Sequence, residues 1–241
     1  TAPASFIAPP NKSSFSVKVV LPASGWEIIP KVLLISIFDS KFIVKRKNST
    51  LFVCLKSNSS KFENMSKNVI LVDLDNNQIG FEEKILAHKK KLLHRAFSIF
   101  VFNDKNEILL QQRAAHKYHS GNLWTNTCCS HPYEGKTLIE CANERLIEEM
   151  GIECKLAEIF SFVYREDFDN GLTEYEYDHV IFGRYSKNPI LNPDEAVDFK
   201  WISAENLKLE ISNNPENFTA WLKVIFKDHY KYFNNYENYN L

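Results

Sequence analysis

The chain has 241 residues, of which 44% are hydrophobic and 24% are charged. These proportions are typical of a globular protein and exclude a collagen-like repeat, a long coiled coil and wholesale disorder. The formal charge of −1 predicts no nucleic-acid partner, and the longest apolar run, Val32 to Phe38, is too short to predict a membrane span of ~20 residues.

Residues 1–64 differ from the rest of the chain in charge and composition. They hold nine Lys and Arg residues, three Asp and Glu residues and 11 serines, and the first methionine of the chain is Met65. Such a segment is typical of an organelle transit peptide. We favour instead a leader translated upstream of a start at Met65; a small β-rich domain built on Val32–Phe38 and Phe42–Val44 is a third interpretation. In each case residues 1–64 are expected to be a dispensable N-terminal extension, with the chemistry in residues 65–241.

Short β-prone runs and two helical patterns follow Met65. Strands are predicted at Val69–Val72, Phe97–Phe102, Glu107–Gln112, Leu123–Cys129, Ile159–Tyr164, Glu174–Tyr185 and Ala196–Ile202, the second and third as a hairpin. One helix is predicted from Thr137 to Met150, ending at Gly151. A second is predicted over Asn217–Tyr232, with the Tyr/Asn-rich residues after Tyr230 as its frayed end. This order predicts an α+β fold with a mixed sheet rather than a doubly wound nucleotide fold.

Three histidines and two glutamates are the strongest candidate metal ligands: His88, His94, His131, Glu174 and Glu176. Both glutamates leave the same face of a predicted strand, about 6.5–7 Å apart along the backbone. Imidazoles with one or two carboxylates suit Zn²⁺, Mn²⁺ or Fe²⁺, whereas an all-oxygen set would suit Mg²⁺. The spacing does not match a compact zinc motif. Two alternatives therefore stay open: the histidines are separate surface or core residues, and the two glutamates lie on a solvated strand face.

Two further groups of residues are candidates for chemistry. Cys129 lies two residues before His131, and a metal-bound imidazole beside it would lower the pKa of its thiol for acid–base or nucleophilic work. The alternative is a small buried apolar residue. The five cysteines are an odd number, which favours a reducing, intracellular compartment. The second group consists of three cations and one acid: Arg113, Lys117, Arg145 and Glu149. These side chains would suit a diphosphate with its Mg²⁺. The alternative is that they are solvated charges on a helix and a loop.

Five separated segments carry a family resemblance. They are Ala87-His88 with Leu93-His94-Arg95-Ala96-Phe97-Ser98, Leu110-Gln111-Gln112-Arg113, Trp124-Thr125-Asn126-Thr127-Cys128-Cys129-Ser130-His131-Pro132, Glu148-Glu149-Met150-Gly151 and Glu174-Tyr175-Glu176. In these segments the chain resembles the type I isopentenyl-diphosphate Δ-isomerases of the Nudix superfamily. The resemblance runs from about Met65 to Trp221 and implies a Nudix-like mixed β-sheet sandwiched by helices.

The resemblance implies interconversion of isopentenyl and dimethylallyl diphosphate in isoprenoid biosynthesis, by a 1,3-allylic proton shift through a tertiary carbocation. It implies that Cys129 and Glu176 are the acid–base pair on opposite faces of the alkene and that Tyr164 assists them. It implies these substrate-binding residues: Lys84, Arg113, Lys117, Arg145 and Trp221, whose ring faces the carbocation. The implied metal ligands are His88, His94, His131, Glu174 and Glu176 for one divalent metal (Zn, Mn or Mg), and Glu149 for a Mg²⁺ on the diphosphate.

The substrate implied is a small isoprenyl diphosphate, and a monomer is expected. The expected location is the cytoplasm, or a plastid or other organelle if residues 1–64 are a transit peptide.

The chain departs from the motif of Nudix hydrolases at two positions. The residue six after Gly135 is Cys141 rather than Glu, and the Arg-Glu pair is inverted as Glu144-Arg145. Hydrolases use these carboxylates to bind several Mg²⁺ ions, so the departures disfavour the alternative of a Nudix hydrolase of nucleoside diphosphate derivatives. A catalytically silent metal-binding or interaction module is a further alternative, and Cys129 with Glu176 argues against it.

Overall fold

The computed structural model describes residues 68–234, 236 and 239, and the backbone of four earlier strands. Those strands are β1 (Ser16–Val19), β2 (Val32–Ile37), β3 (Ser40–Lys47) and β4 (Thr50–Lys56). They pair antiparallel in the order β1-β4-β3-β2. The chain divides into two compact units, Thr1–Ser66 and Lys67–Leu241. The predicted runs at 32–38 and 42–44 therefore fall on β2 and β3, and whether residues 1–64 are dispensable stays a prediction.

The described strands of the second unit form one mixed sheet. They are β5 (Asn68–Val72), β6 (Gln78–Glu83), β7 (His94–Phe102), β8 (Glu107–Arg113), β9 (Trp124–Thr125), β10 (Cys128–Ser130), β11 (Leu156–Asp167), β12 (Thr173–Arg184) and β13 (Ala196–Ser203). The main order is β11-β12-β7-β5-β6, with β10 on β7 and with β8 joining β7, β9 and β13. The β12–β7 pair is parallel. The prediction of an α+β fold with a mixed sheet is confirmed.

The described helices are α1 (Lys84–Lys90), α2 (Leu138–Met150), α3 (Ala204–Asn213), α4 (Ala220–Asp228) and α5 (Lys231–Asn234), with a 3₁₀ turn at Pro215–Asn217. Helix α2 begins at a capping box, in which Thr137 and Glu140 bond to each other's backbone N–H. It ends at Gly151 in the left-handed region, with φ of 63°. The predicted helix over 138–150 is thus confirmed, whereas β6, α1 and α3 were not predicted.

Two predicted elements are broken where side chains compete with the backbone pattern. The strand predicted over 123–129 splits into β9 and β10, because the buried Asn126 donates to the carbonyls of Ile99 at 3.1 Å and Cys128 at 2.7 Å. The chain thereby moves from pairing with β8 to pairing with β7. The helix predicted over 217–232 is confirmed over α4, but its bounds are wrong, since Phe218 is extended with φ of −123° and α4 ends at Asp228. The predicted hairpin is limited to its turn end, where Phe102 pairs with Ile108.

A hydrophobic core lies on each face of the sheet. One contains Phe100, Phe102, Phe182, Leu222 and Phe226 with their neighbours. The other packs α2 against the opposite face through Phe97, Ile99, Ile181, Leu146 and Met150.

The C-terminal tail belongs to the first of these cores. Phe233 and Tyr236 are both buried there, and the Tyr236 ring stacks on Phe102 with centroids 4.2 Å apart. The Tyr236 hydroxyl donates to Asn106 at 2.8 Å. The expectation of a frayed end after Tyr230 is therefore wrong. Within the described residues, no helix has the length and apolarity needed to cross a bilayer.

Candidate active site

A cavity opens beside β7, β10 and β12. Its lining includes most of the residues that the sequence singled out: Lys84, Arg113, Lys117, Cys129, His131, Arg145, Glu149, Tyr164, Glu174, Glu176 and Trp221. His88 and His94 are fully buried next to it, with their rings facing Glu176. The structure therefore brings all the predicted site residues to one place.

Strand register explains why these side chains converge. Glu176 on β12 pairs with His94 on parallel β7 and with Tyr164 on β11, and Cys129 pairs with Ser98 of β7. Because alternate residues of a strand share a face, Glu174, Glu176 and Asp178 are all buried on the cavity side. By the same alternation Cys129 lines the cavity, while Cys128 lies in the core beneath α2.

Four side chains form a compact group of metal-ligating type. The ligand atoms of His88, His94, His131 and Glu176 all lie within 4.8 Å of one another. The Glu176 Oε1 atom lies 4.0 Å from Nε2 of His88, 3.5 Å from Nε2 of His94 and 3.0 Å from Nε2 of His131. The Nε2 atoms of His94 and His131 are 3.2 Å apart.

Backbone contacts decide which nitrogen of two of these rings is free. Nδ1 of His88 lies 2.7 Å from the Lys84 carbonyl, and Nδ1 of His94 lies 2.8 Å from the Leu92 carbonyl. A carbonyl only accepts, so each Nδ1 carries the proton and each Nε2 presents a lone pair. The buried Nε2 of His88 has no hydrogen-bond partner among the described residues.

This geometry fits a divalent cation. Neutral imidazoles cannot bond to one another or to a carboxylate through bare Nε2 atoms, and burial lowers the pKa of His88 and His131 and so disfavours imidazolium. A cation among these lone pairs satisfies all of them, and the carbonyl contacts at Nδ1 are of the kind that orient metal-bound histidines.

Glu174 has a different set of neighbours from Glu176. Its Oε1 atom lies 3.3 Å from Nε2 of His119, a residue that the sequence analysis did not select. His88, His119 and Glu174 form a second group whose ligand atoms all lie within 4.8 Å. The Tyr164 hydroxyl joins the two carboxylates, since it lies 3.1 Å from Oε2 of Glu174 and donates to Oε2 of Glu176 at 2.7 Å.

Burial and neighbouring charge set the protonation states of the acidic groups. Burial, together with the adjacent Glu176 charge, raises the pKa of Glu174 well above its usual range. Burial would do the same to Glu176, but its close contacts with the His131 and His94 rings outweigh burial and hold its pKa well below the usual range. Burial raises the pKa of the Cys129 thiol to about 12. Arg113, 3.7 Å from Sγ, only partly offsets burial, and a lowering of the thiol pKa by a metal-bound imidazole stays a prediction.

Cations and carboxylates alternate at one end of the cavity. Arg145 Nη2 lies 2.6 Å from Glu149 and 3.2 Å from Glu195, and Lys117 forms an ion pair with the same Glu195. Gln111 donates to the second oxygen of Glu149 at 2.9 Å. Glu195 lies in the turn before β13. It was not predicted from the sequence, because it belongs to none of the five family segments.

An indole ring closes another wall. Trp221 is buried, and its Nε1 donates to Oδ1 of Asn126 at 2.8 Å. The Arg113 guanidinium lies over the ring, 5.3 Å from its centroid. The Trp221 face in the cavity is thus held in place by Asn126 and is accessible to a positive charge.

The sequence and the fold are similar to those of known proteins. The family model described as NUDIX domain matches residues 92–222. Isopentenyl-diphosphate Delta-isomerase 2 of Aromatoleum aromaticum is 51% identical over 158 residues, which cover 66% of this chain and 84% of that protein. The protein of the same name from Photorhabdus laumondii is 50% identical over 161 residues, which cover 67% of this chain and 91% of that protein. This chain belongs to the Nudix isopentenyl-diphosphate Delta-isomerases.

The Nudix fold also appears in a solved structure of low sequence identity. The chain is similar to DR0079 from Deinococcus radiodurans, with a TM-score of 0.55 and 18% identity over 66% of this chain and 97% of that one. At this level of identity the likeness shows the fold alone.

Two of the three residues that depart from the Nudix hydrolase motif lie away from the cavity, whereas the third, Arg145, lines it. Cys141 is buried in the core beneath α2, and Glu144 bonds to Tyr133 and Lys136 on the surface. Of the described residues of α2, Arg145 and Glu149 line the cavity. The helix therefore presents one carboxylate there, next to a cation, rather than a cluster of acids for several metal ions.

Proposed function

We propose that this isomerase interconverts isopentenyl and dimethylallyl diphosphate by a 1,3-allylic proton shift through a tertiary carbocation. The observation that carries the proposal is the pairing of Cys129 and Glu176 in one cavity that is also lined by four cations. A proton shift needs one group that adds a proton at one carbon and another that removes a proton from a different carbon. A thiol and a carboxylate supply those two roles.

The site must stabilise a cation, because pKa matching cannot remove the barrier. A tertiary carbocation is a far stronger acid than a thiol or a carboxylic acid, so protonating the alkene is steeply uphill. The face of the Trp221 indole contributes ~2 kcal/mol or more when desolvated. The fixed carboxylate oxygens of Glu174 and Glu176 add to this in a site from which water is excluded. Excluding water also protects the cation from capture.

Tyr164 holds the Glu174 and Glu176 carboxylates in position for the substrate. Burial first, and the charges of Glu174 and Glu176 second, raise the pKa of its hydroxyl, so it stays protonated and donates. His88, His94, His131, Glu174 and Glu176 would hold a divalent cation, and its fixed positive charge would orient Glu176 and tune its basicity. One of the two groups, Cys129 or Glu176, adds a proton to one substrate carbon, and the other group removes a proton from a different carbon.

The cationic end suits the diphosphate. Lys84, Arg113, Lys117 and Arg145 all line the cavity. Ion pairs hold two of these cations in place, Arg145 with Glu149 and Glu195, and Lys117 with Glu195. A diphosphate would take over these cations, while Glu149 would share a Mg²⁺ with its oxygens.

The donor types favour different ions at the two positions. Imidazole nitrogens favour Zn²⁺ or Mn²⁺ over Mg²⁺ in the His/Glu group, and oxygens alone favour Mg²⁺ at Glu149. We further propose that the protein acts as a monomer in the cytoplasm. In support of a monomer, a single chain supplies both the cationic end of the cavity and the acid–base pair. Sedimentation analysis of the purified protein tests the monomer, and cell fractionation tests the location.

A product assay separates the isomerase from a Nudix hydrolase. Purified protein with Mg²⁺ and Mn²⁺ is incubated with isopentenyl diphosphate, and in parallel with a panel of nucleoside diphosphate derivatives. We expect dimethylallyl diphosphate from the first incubation and no phosphate from the second. Phosphate release from the nucleotides without isomerisation would overturn the proposal. The Cys129→Ala protein is the matched control for contaminating isomerase.

A further inference from the structure

We infer that His119 is an additional ligand of the His/Glu metal site, which connects the loop at 114–122 to that site. This inference rests on the proposed function, because it adds a ligand to the same site. The ring of His119 is buried in the cavity wall, with 4% of its side chain exposed.

The orientation of the His119 ring carries the inference. Its Nε2 atom lies 3.3 Å from Oε1 of Glu174, and together with His88 these residues have ligand atoms within 4.8 Å of one another. Two ligands held at about 2.1 Å from one ion lie roughly 3–4 Å apart, so small adjustments suffice. Nε2 of His119 and Nε2 of His88 are both buried without a hydrogen-bond partner among the described residues. Buried nitrogens of this kind require a partner, and a shared cation supplies it to both.

The two ligand groups belong to one ion rather than to two. His88 is a member of both groups, and its Nδ1 is occupied by the Lys84 carbonyl at 2.7 Å. It therefore has only Nε2 to offer, and that atom binds a single ion. The union of the groups gives six donor residues: His88, His94, His119, His131, Glu174 and Glu176. Six donors exceed the four of a tetrahedral Zn²⁺ site and suit an ion that accepts six ligands, such as Mn²⁺.

Such a donor set also assigns the ion a role. An ion whose positions are all taken by side chains has none left for a substrate oxygen or a reactive water. It would fix Glu176 and Glu174 in place rather than bind the substrate. By taking the last ligand position, His119 would leave the ion only the role of positioning Glu174 and Glu176.

Packing holds the His119 ring in this orientation. The ring stacks on Phe168 with centroids 4.8 Å apart and planes 14° apart, and it meets the edge of Trp221 at 6.0 Å. Its backbone carbonyl accepts a hydrogen bond from Arg113 at 3.4 Å. A ring fixed from several sides loses little freedom on binding a metal.

The loop that carries His119 also carries a diphosphate-binding candidate. Lys117 lies two residues before it, and Ser120 and Asn122 after it have φ of 52° and 64°. A Cβ at Gly121 would lie 2.5 Å from the Ala115 carbonyl, so the turn is tight. A ligand in this strained loop would couple metal binding to the position of Lys117.

Cobalt spectroscopy and manganese affinity test the inference without substrate. The wild type, His119→Ala and a matched control, His116→Ala, are loaded with Co²⁺. His116 is exposed on the same loop. Six-coordinate Co²⁺ absorbs weakly in the visible region, whereas Co²⁺ with fewer ligands absorbs more strongly. We expect a several-fold stronger band and at least about tenfold weaker Mn²⁺ binding in His119→Ala, with His116→Ala like the wild type.

A second variant and a second readout cover a loss of folding. His119→Leu keeps an apolar side chain against Phe168, and its fold is checked by circular dichroism. Amide hydrogen exchange over residues 114–122 should slow on adding Mn²⁺ to the wild type but not to either His119 variant. A cobalt spectrum and a Mn²⁺ affinity that are unchanged in both folded variants would overturn the inference. Absence of isomerisation in the wild type would instead overturn the proposed function and leave the cobalt result standing.

Discussion

The Nε2 atoms of His94 and His131 lie 3.2 Å apart, and each faces the same Glu176 oxygen, at 3.5 Å and 3.0 Å. The proton of the His94 ring is at Nδ1, because that atom contacts the Leu92 carbonyl at 2.8 Å. Both Nε2 atoms face one point next to the carboxylate that is proposed to exchange protons with the substrate. A divalent cation at this point is what the account of the site requires.

Replacing either acid–base residue should stop the reaction. Cys129→Ala and Glu176→Gln are each expected to lower kcat by about 10²–10⁴-fold or more, which is the usual contribution of a general acid or base. Cys128→Ala is the matched control, since its thiol lies in the core on the other side of the sheet, and it should keep its kcat. Cys129→Ala should still bind metal and diphosphate, as measured by calorimetry. Wild-type kcat in Cys129→Ala would remove the thiol from the mechanism.

Stripping the metal should make stability depend on pH. Burial lowers the pKa values of His88, His131 and His119, the last to about 3. Below the unfolded value of about 6.5 the unfolded chain therefore binds more protons than the folded one. The stability of the chelated protein should fall as pH drops from about 6.5 towards these lowered values and level off above pH 7.

Thermal melts between pH 5 and 8, with and without chelator, provide the measurement. The melting temperature of the metal-loaded protein should be higher at each pH, because a bound ligand stabilises the folded state. His119→Gln should reduce the pH dependence of the chelated protein, since it removes one of the groups responsible. A chelated protein whose melting temperature does not change over this range would contradict the assignment of neutral buried histidines.

The C-terminal tail should be needed for stability. Phe233 packs against Phe100 and Phe226, with centroid distances of 4.8 Å and 4.7 Å. Phe233→Ala is therefore expected to lower the free energy of unfolding by about 3–5 kcal/mol, as measured by urea denaturation. The exposed neighbour Asn234 supplies the control, because Asn234→Ala should change the free energy little. Equal stabilities of the two variants would return the tail to the status of a frayed end.

Residues 1–64 are proposed to be dispensable. A chain that begins at Met65 should fold and turn over like the full chain, because the site residues and both cores of the second unit come from later positions. A chain that begins at Lys84 lacks β5 and β6 and is the negative control, since β5 pairs with β7 beside His94. A large loss of kcat in the chain that begins at Met65 would show that the extension belongs to the catalytic domain.

The sequence predicted those elements whose signals are local. The alternation in Glu174–Tyr185 gave β12 and the face carrying both glutamates, and Thr137 with Gly151 gave the ends of α2. Helix α1 has seven residues, too few for a periodic pattern to be distinguished. The break after Thr125 depends on Asn126, whose partners Ile99 and Trp221 are distant in sequence.

The candidate site was predicted where motifs carried it and not elsewhere. Family segments indicated the histidines and glutamates, but His119 lies in an irregular loop, where no spacing links it to Glu174. The burial that raises the pKa of the Cys129 thiol was missed, because the sequence shows Cys129 close to His131 but does not show how deeply it is buried. The tail was misjudged by composition, since Asn and Tyr residues surround Phe233, which is itself in the core.

The most direct test is to follow isotopically labelled isopentenyl diphosphate by NMR with the purified protein in D₂O, with and without chelator. If Cys129 and Glu176 add and remove protons, dimethylallyl diphosphate will appear with deuterium from solvent in its methyl groups. Chelation of the His/Glu site will abolish both conversion and exchange. Conversion at an unchanged rate in the chelated protein, or no conversion with metal present, would contradict a metal-anchored carboxylate working opposite a thiol.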